Sequence, residues 1–456
     1  MLRKFSHIAL IAASLGLFAA RLNAQVSLMA IGSLTSSQAG SYTDLSGLEG
    51  TLENGAPANL LGGLGSGLAW GFGNTFLALP DRGPNAIPFD SLIDDTASYI
   101  PRFHTIKMDL DHNHGAGLPF TLKAKLKDTT LLYSSDRLVY GSGTALAVGP
   151  GAPEQNTHSK HYFSGRSDNF DPNRNSGDPH NARLDTESIR LSNDGDSVFI
   201  SDEYGPYVYE FNRHSGRRIR AFKLPDNLFV TNLQPVGNDE ISGNTSGRTA
   251  NKGMEGLAIT PDGKTLVGIM QASLIQDALE GGDAAKLLRI VTINIHSGKT
   301  HEYAYLLSTG SGVSDIVALN QHEFLVDERD GKGLGDGSNA KIKQVFKIDL
   351  KNAVDVTDLD GTTAATYAVG KTLFLDIVQV LTANGFTPDQ IPAKIEGMAL
   401  AADVKNGNTR LHTLWIANDN DFLQDLNGPN TNPNRFFVFG FTEADLAGSK
   451  YVPQHR

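Results

Sequence analysis

Carboxylates recur at one register along this chain. Glu187, Glu255, Asp315 and Glu396 each open a short run of small and apolar residues, as in "MEGLAITPDGKTLVGI" from Met254. The partner runs end in polar clusters: Asp81-Arg82, Asp202-Glu203, Asp327-Glu328-Arg329 and Asn418-Asp419. If the fold gathers these groups at one place, like charges in a confined site are costly and something must offset them. A hard cation such as Ca²⁺, which takes clustered carboxylate and carbonyl oxygen, is one answer. The interleaved Arg82, Arg329 and Lys394 are a second. A raised pKa that leaves one carboxyl as a general acid is a third. The candidate metal ligands are Asp81, Glu187, Asp202, Glu203, Glu255, Asp315, Glu328, Glu396 and Asp419. The candidate catalytic groups are Glu203, Glu255, Arg82, Arg329 and Lys394. Against this stands an ordinary reading for each acid alone, in which it accepts backbone hydrogen bonds at a turn.

The elements that must position these residues form a repeat. "SGLAWGFGNTFLALPDRGPN" from Ser66, "ESIRLSNDGDSVFISDEYG" from Glu187, "EGLAITPDGKTLVGIMQAS" from Glu255, "SDIVALNQHEFLVDERDGKG" from Ser314 and the run from Glu396 share one plan. Each has an apolar strand, a turn such as "NDG", "PDG" or "KNG", a second apolar strand and a polar cluster. A further strand pair follows, with an "HSG" turn at His214 and again at His296. A four-stranded unit repeating with long insertions predicts an all-β fold, a β-propeller of four-stranded blades. The spacing predicts six blades, within a range of five to seven, because the first two units are far enough apart to hold one more. "VSLMAIGSL" at the N-terminus is expected to complete the last blade. In such a disc, the start of each first strand and the end of each second strand face the same mouth of the central channel. Residues 150–186 carry no strand signal and are expected as a long loop or lid. Residues 371–384 have apolar residues at helical spacing and predict one inserted helix.

Bulk properties set the class. Apolar residues make up 40% and charged residues 20% of the 456, enough for a sizeable core. Arg3 and Lys4, then an apolar stretch from Ile8 to Ala20, then Ala24, read as a signal peptide over residues 1–24. A single domain over 25–456, exported to the periplasm or outside the cell, is expected, without membrane insertion after cleavage and as a monomer. The absence of cysteine excludes disulfides, a thiolate nucleophile and Cys-type zinc sites. The formal charge is −11, and −14 once the leader's three basic residues are gone, which argues against nucleic acid and suits a cation.

Other signals are weaker. "DLDHNHG" and "DPNRNSGD" alternate Asp109, Asp111, Asn113 and Asp171, Asn173, Asn175, but lack the glycine and glutamate positions of an EF-hand and read first as Asx-rich turns. His112 with His114, and His158 with His161, lack a third ligand nearby. No G-x-S-x-G elbow, Walker A loop or G-x-G-x-x-G is present.

"NKGMEGLAITPDGKTL", "ARLDTESIRLSNDGDSVFISDEYGPYVYEFN", "AKIEGMAL", "PDRGPN" and "WIANDNDF" together resemble the phytase-like family, exported bacterial proteins described as having esterase-like activity of phytase. The resemblance runs from about residue 40 to the C-terminus. It implies distant likeness to β-propeller phytases, which use several Ca²⁺ ions at an acidic channel mouth to hydrolyse phosphate esters. The family pattern falls on Glu255, on Asp202 and Glu203, on Lys394 and Glu396, on Asp81, Arg82 and Gly83, and on Asp419 to Asp421. Ser314-Asp315 and Ser66-Gly67 depart from it. The expectation is a Ca²⁺-dependent hydrolase of a small anionic phosphate ester. A propeller that binds an ion or ligand without turnover, and a Ca²⁺-dependent lactonase, are the alternatives.

Overall fold

Four-stranded antiparallel meanders carry most of the strands. The computed structural model describes residues 26–34, 42–85, 96–140, 152–167, 173–205, 207–234, 237–308 and 310–455. The leader and Asp171 lie outside them. Blade 1 comprises Gly67–Trp70, Thr75–Leu79, Arg102–His112 and Phe120–Leu131. Blade 2 comprises Thr186–Leu191, Ser197–Asp202, Val208–Asn212 and Arg218–Ala221. Blade 3 comprises Met254–Ile259, Thr265–Met270, Leu287–Asn294 and Thr300–Leu306. Blade 4 comprises Gly312–Ala318, Glu323–Arg329, Lys343–Asp349 and Lys371–Asp376. Blade 5 comprises Lys394–Asn406, Thr409–Asp419 and Asn434–Phe441, and the N-terminal strand Ser27–Leu34 completes it as expected.

Among the described residues these five sheets form the propeller. Their first strands touch in a closed ring, 1 to 2 to 3 to 4 to 5 and back to 1. Among its described residues, the stretch expected to hold a further unit contributes a two-stranded ribbon, Tyr133–Ser134 with His161–Tyr162. It does not enter the ring, because the first strand of blade 1 packs directly on that of blade 2. A ring of five is narrow, and the inner strands need glycine where they meet. A Cβ on Gly256 would lie 2.9 Å from the Asp315 Cα, and one on Gly397 would lie 2.8 Å from the Gly67 carbonyl carbon. That crowding is why glycine stands where the first strands meet.

The channel is plugged at mid-depth. Arg190 of blade 2 donates to both oxygens of Asp315 in blade 4 at 2.8 Å, and to the Leu68 carbonyl of blade 1 at 2.8 Å. Asp315 also accepts from Ser188 Oγ at 2.9 Å and from the Met398 amide of blade 5 at 2.8 Å. One buried ion pair therefore ties four blades together beneath the mouth.

The expected single inserted helix changes. Residues 371–384 are not one helix: Lys371–Asp376 is the outer strand of blade 4, and only Ile377–Ala383 is helical, capped by Asp376 accepting from the Gln379 amide. The apolar spacing suits either period, and the unpaired edge of Lys343–Asp349 selects the strand. Short helices also occur at Gly237–Gly243, Ile275–Ala278 and Gly361–Ala365. The Asn- and Gly-rich stretch within 150–186 is a loop packed on the blades where it is described, bridged at Val139–Asn181 and Ser164–Arg183.

Candidate functional site at the channel mouth

A β-bulge recurs at the mouth in four blades. In blade 3, Met254 pairs with Met270 and Gly256 with Ile269, which leaves Glu255 as the extra residue. In blade 4, Val313 pairs with Glu328 and Asp315 with Asp327, which leaves Ser314. Blade 2 sets Glu187 and Ser188 against Ser201 alone, and blade 5 sets Glu396 and Gly397 against Ala417 alone. A bulge bends its strand and re-aims a side chain, which is how it serves sites next to sheets. Here it presents Glu187, Glu255, Ser314 and Glu396. Two residues earlier in each strand stands a second mouth position, opposite the end of the second strand. The pairs are Asp185 with Glu203, Gly253 with Gln271, Gly312 with Arg329, and Lys394 with Asp419.

These residues surround a cavity of about 240 Å³ lined by Asp81, Glu187, Glu203, Glu255, Glu396 and Asp419, with Arg82, Lys252, Arg329 and Lys394. Arg329 donates Nε to Ser314 Oγ at 2.6 Å, binds Glu396 through Nη2, and lies 3.7 Å from Glu255. Gln271 donates to Glu255 Oε1 at 2.9 Å, while Glu255 Oε2 is buried without a hydrogen-bond partner. Gly253 donates its amide to Glu203 at 3.2 Å, and a Cβ at Gly253 would lie 2.1 Å from the Glu203 carbonyl oxygen. That contact explains the glycine two residues before Glu255. Lys394 binds Asp419 at 2.9 Å and also pairs with Asp421. Arg82 binds Asp185 at 3.1 Å.

Two trios bring carboxylate oxygens within 4.8 Å of one another: Asp185, Glu187, Glu203, and Asp81, Asp419, Asp421. Their electrostatics differ. Burial, then Glu255, Asp185, Glu203 and Glu396, all push the Glu187 carboxyl well above the usual range. Among the described residues Glu187 forms no ion pair with a cation. Burial and then Glu203 and Glu396 do the same to Glu255, with Arg329 opposing. Asp81 is raised by burial and by Asp419, with Arg82 and Lys394 opposing.

The structure gathers Asp81, Arg82, Glu187, Glu203, Glu255, Arg329, Lys394, Glu396 and Asp419 at the mouth. It places three other candidates elsewhere. Asp202 accepts from the Asp185, Tyr204 and Gly205 amides at 2.9, 3.0 and 2.7 Å, so it shapes the turn that carries Asp185 and Glu203. Burial pushes it up to about 7. Asp315 lies one residue past the bulge and points to the channel plug; Ser314 holds the mouth position. Glu328 lies between blades 3 and 4, bound to Tyr305 Oη at 2.5 Å, the Ser308 amide at 3.1 Å and Lys371. Asp185 and Gln271 were not singled out from the sequence. Asp185 was legible in principle, since it precedes Glu187 by the same two residues that separate Lys394 from Glu396. Of the calcium-loop lookalikes, Asp109 is paired with Lys107 at 2.7 Å, and Asn113 and Asn175 accept from Gly115 and Gly177 in Asx turns.

A family model described as "Phytase-like: Esterase-like activity of phytase" matches residues 59–422. An uncharacterized secreted protein of Arthroderma benhamiae is 33% identical over 178 residues, covering 32% of this chain and 34% of that protein. The match thus spans about a third of that relative's length. Among solved structures, a periplasmic gluconolactonase from Pseudomonas aeruginosa is 12% identical, covering 91% of this chain and 99% of that one at a TM-score of 0.34. A PQQ-bound aldose sugar dehydrogenase from Streptomyces coelicolor is 12% identical, covering 92% and 99% at a TM-score of 0.33. No helix among the described residues is long and apolar enough to cross a membrane.

Proposed function

The chain belongs to the phytase-like family, and we propose that it is an exported, Ca²⁺-dependent hydrolase of small phosphate esters that works at the acidic mouth. Export is supported by the leader-like N-terminus and by the secreted description of the Arthroderma relative.

One observation carries the reading: the buried Glu187 carboxylate stands in a trio with Asp185 and Glu203 and has no hydrogen-bond donor or ion-pair partner among the described residues. A buried anion without a partner is costly, and a divalent cation relieves it. The donor set fits, being all oxygen and shared among Asp185, Glu187 and Glu203. Asp185, Glu187 and Glu203 would hold such a cation, which would supply positive charge to a phosphoryl oxygen and acidify a water. The chain's own residues do the rest. Arg329 has one nitrogen, Nη1, without a protein acceptor among the described residues, and it can take a phosphoryl oxygen while Ser314 and Glu396 fix its plane. Lys394 offers a second positive point in the same cavity. Glu255, held by Gln271 through one oxygen, keeps the other available to carry a proton.

A second reading, ion binding without turnover, is favoured by the pairing of the cations: Lys394 already has two carboxylates, and Arg329 has Glu396. A chelator-stripped protein assayed on a phosphomonoester, a phosphodiester, phytate and a lactone separates the two. Hydrolysis of a phosphate ester restored by Ca²⁺ is the expected result. Activity that ignores chelation sinks the metal mechanism, whereas a Ca²⁺-dependent rise in Tm with no hydrolysis of any substrate favours the binding propeller.

A further inference from the structure

The two carboxylate trios occupy related places in the fold and are neutralised differently. Asp185 and Glu203 in blade 2 stand at the register of Lys394 and Asp419 in blade 5. Blade 2 therefore presents two acids where blade 5 presents an acid and an ammonium. Lys394 Nζ reaches two members of the Asp81, Asp419, Asp421 trio, Asp419 at 2.9 Å and Asp421. Its long stem allows it to enter from the strand start while most of the side chain is covered. In the other trio Arg82 pairs with Asp185 at 3.1 Å, while Glu187, 6% exposed, has no protein donor or ion-pair partner among the described residues.

We infer that Lys394 is the resident cation of the Asp81/Asp419/Asp421 trio, so that the cavity takes a single exchangeable divalent ion, on the Asp185/Glu187/Glu203 side. This rests on the metal reading above and sharpens it. The likeness to β-propeller phytases implies several ions; the blade 5 lysine reduces that to one. It also fixes the polarity of the mouth. An anionic group bound in the cavity has the exchangeable ion on one side and a covalently tethered ammonium on the other. That arrangement suits a single phosphoryl group, bound between two unlike positive charges.

The test is ion stoichiometry, read independently of catalysis. Chelator-stripped protein is titrated with CaCl₂ by isothermal calorimetry, and bound calcium is counted by elemental analysis after gel filtration. The wild type is expected to bind one equivalent. Lys394→Met, which keeps the stem and removes the charge, is expected to bind two, the second more weakly. Lys394→Arg, which keeps the charge, is expected to stay at one. Glu187→Gln is expected to weaken the wild-type site by roughly 100-fold or more. Lys394→Met combined with Glu187→Gln should then retain only the new site. Two equivalents in the wild type, or one in a folded Lys394→Met, overturn the role of Lys394 and leave the metal reading standing. No calcium in any variant overturns the metal reading itself. The wild-type count decides the matter even if Lys394→Met does not fold.

Discussion

Blades 2 and 5 are built on the same hairpin and end in opposite chemistry. Both start with a bulged first strand that presents a glutamate, Glu187 or Glu396. Both carry an acid at the end of the second strand, Glu203 or Asp419. They differ at one position, Asp185 against Lys394. In blade 5 the lysine satisfies its neighbours, and Arg329 binds Glu396, so burial raises that carboxyl against direct opposition from a cation. In blade 2 burial and the carboxylates of Glu255, Asp185, Glu203 and Glu396 all push Glu187 the same way. The lesson is that a ring of acids need not be a ring of equivalent metal ligands. Which acids await an ion is decided by where the chain has placed its own cations.

The largest effect comes from breaking the frame that holds the two blades apart. Asp315 accepts from Arg190 and Ser188 of blade 2 and from the Met398 amide of blade 5. Asp315→Asn removes the charge opposite a buried guanidinium. A broken buried pair costs about 3–5 kcal/mol, and the loss is expected in full as a lowered denaturation midpoint. Calcium stoichiometry should be unchanged in the fraction that remains folded. A variant of native stability that loses calcium would mean that Asp315 belongs to the mouth after all, and the contrast of blades would need redrawing. Next comes Arg329, which neutralises the blade 5 side. Arg329→Met should raise KM for a phosphate ester by roughly 10-fold or more while leaving the fold intact, and Arg329→Lys should recover only part of it, because the ammonium cannot hold Ser314 and Glu396 in one plane. Equal KM values for all three would remove Arg329 from substrate binding.

Much of this was legible in the sequence, for physical reasons. Turn chemistry at Gly195 and Gly263, both at positive φ, marks the hairpins, and alternating apolar strands mark the blades. The closing N-terminal strand and the acidic mouth followed from the repeat. The number of blades did not, because a length of chain sufficient for a blade between residues 131 and 186 does not oblige the ring to open for it. The split of 371–384 into strand and helix was hidden because Leu373, Leu375 and Val378 satisfy both periods. The bulges were hidden for a deeper reason. A one-residue insertion against a partner strand leaves no mark in composition, and it shifts the mouth position from Asp315 to Ser314. Asp202 shows the limit in another way. It sits beside Glu203 in sequence, yet three backbone amides claim its carboxylate, and only geometry distinguishes a ligand from the residue that orients it.

The same contrast can be tested away from the mouth. In blade 3, Arg289 lies between Asp277, bound at 2.7 Å, and Glu302, 3.6 Å away. One cation serves two buried acids, and Glu302 receives the weaker share: Asn227 donates to one oxygen at 3.2 Å, and the other has no donor. Burial outweighs both and pushes Glu302 up from 4.5 to about 7. A folded pKa above the unfolded one means that the native state binds more protons between those values, so stability falls as pH rises through that window. The contribution is complete below about pH 4.5 and is lost as pH passes about 7. Glu302→Gln should therefore flatten the decline of Tm between pH 4.5 and 7 by up to about one proton's dependence, roughly 1.4 kcal/mol per pH unit at most. Measured in saturating Ca²⁺, the comparison excludes the mouth carboxylates, whose charge the ion offsets. If the two profiles run parallel, Glu302 is ionised in the folded protein, and one arginine suffices for two buried acids. Glu187 would then need an ion less than its lack of an ion-pair partner implies.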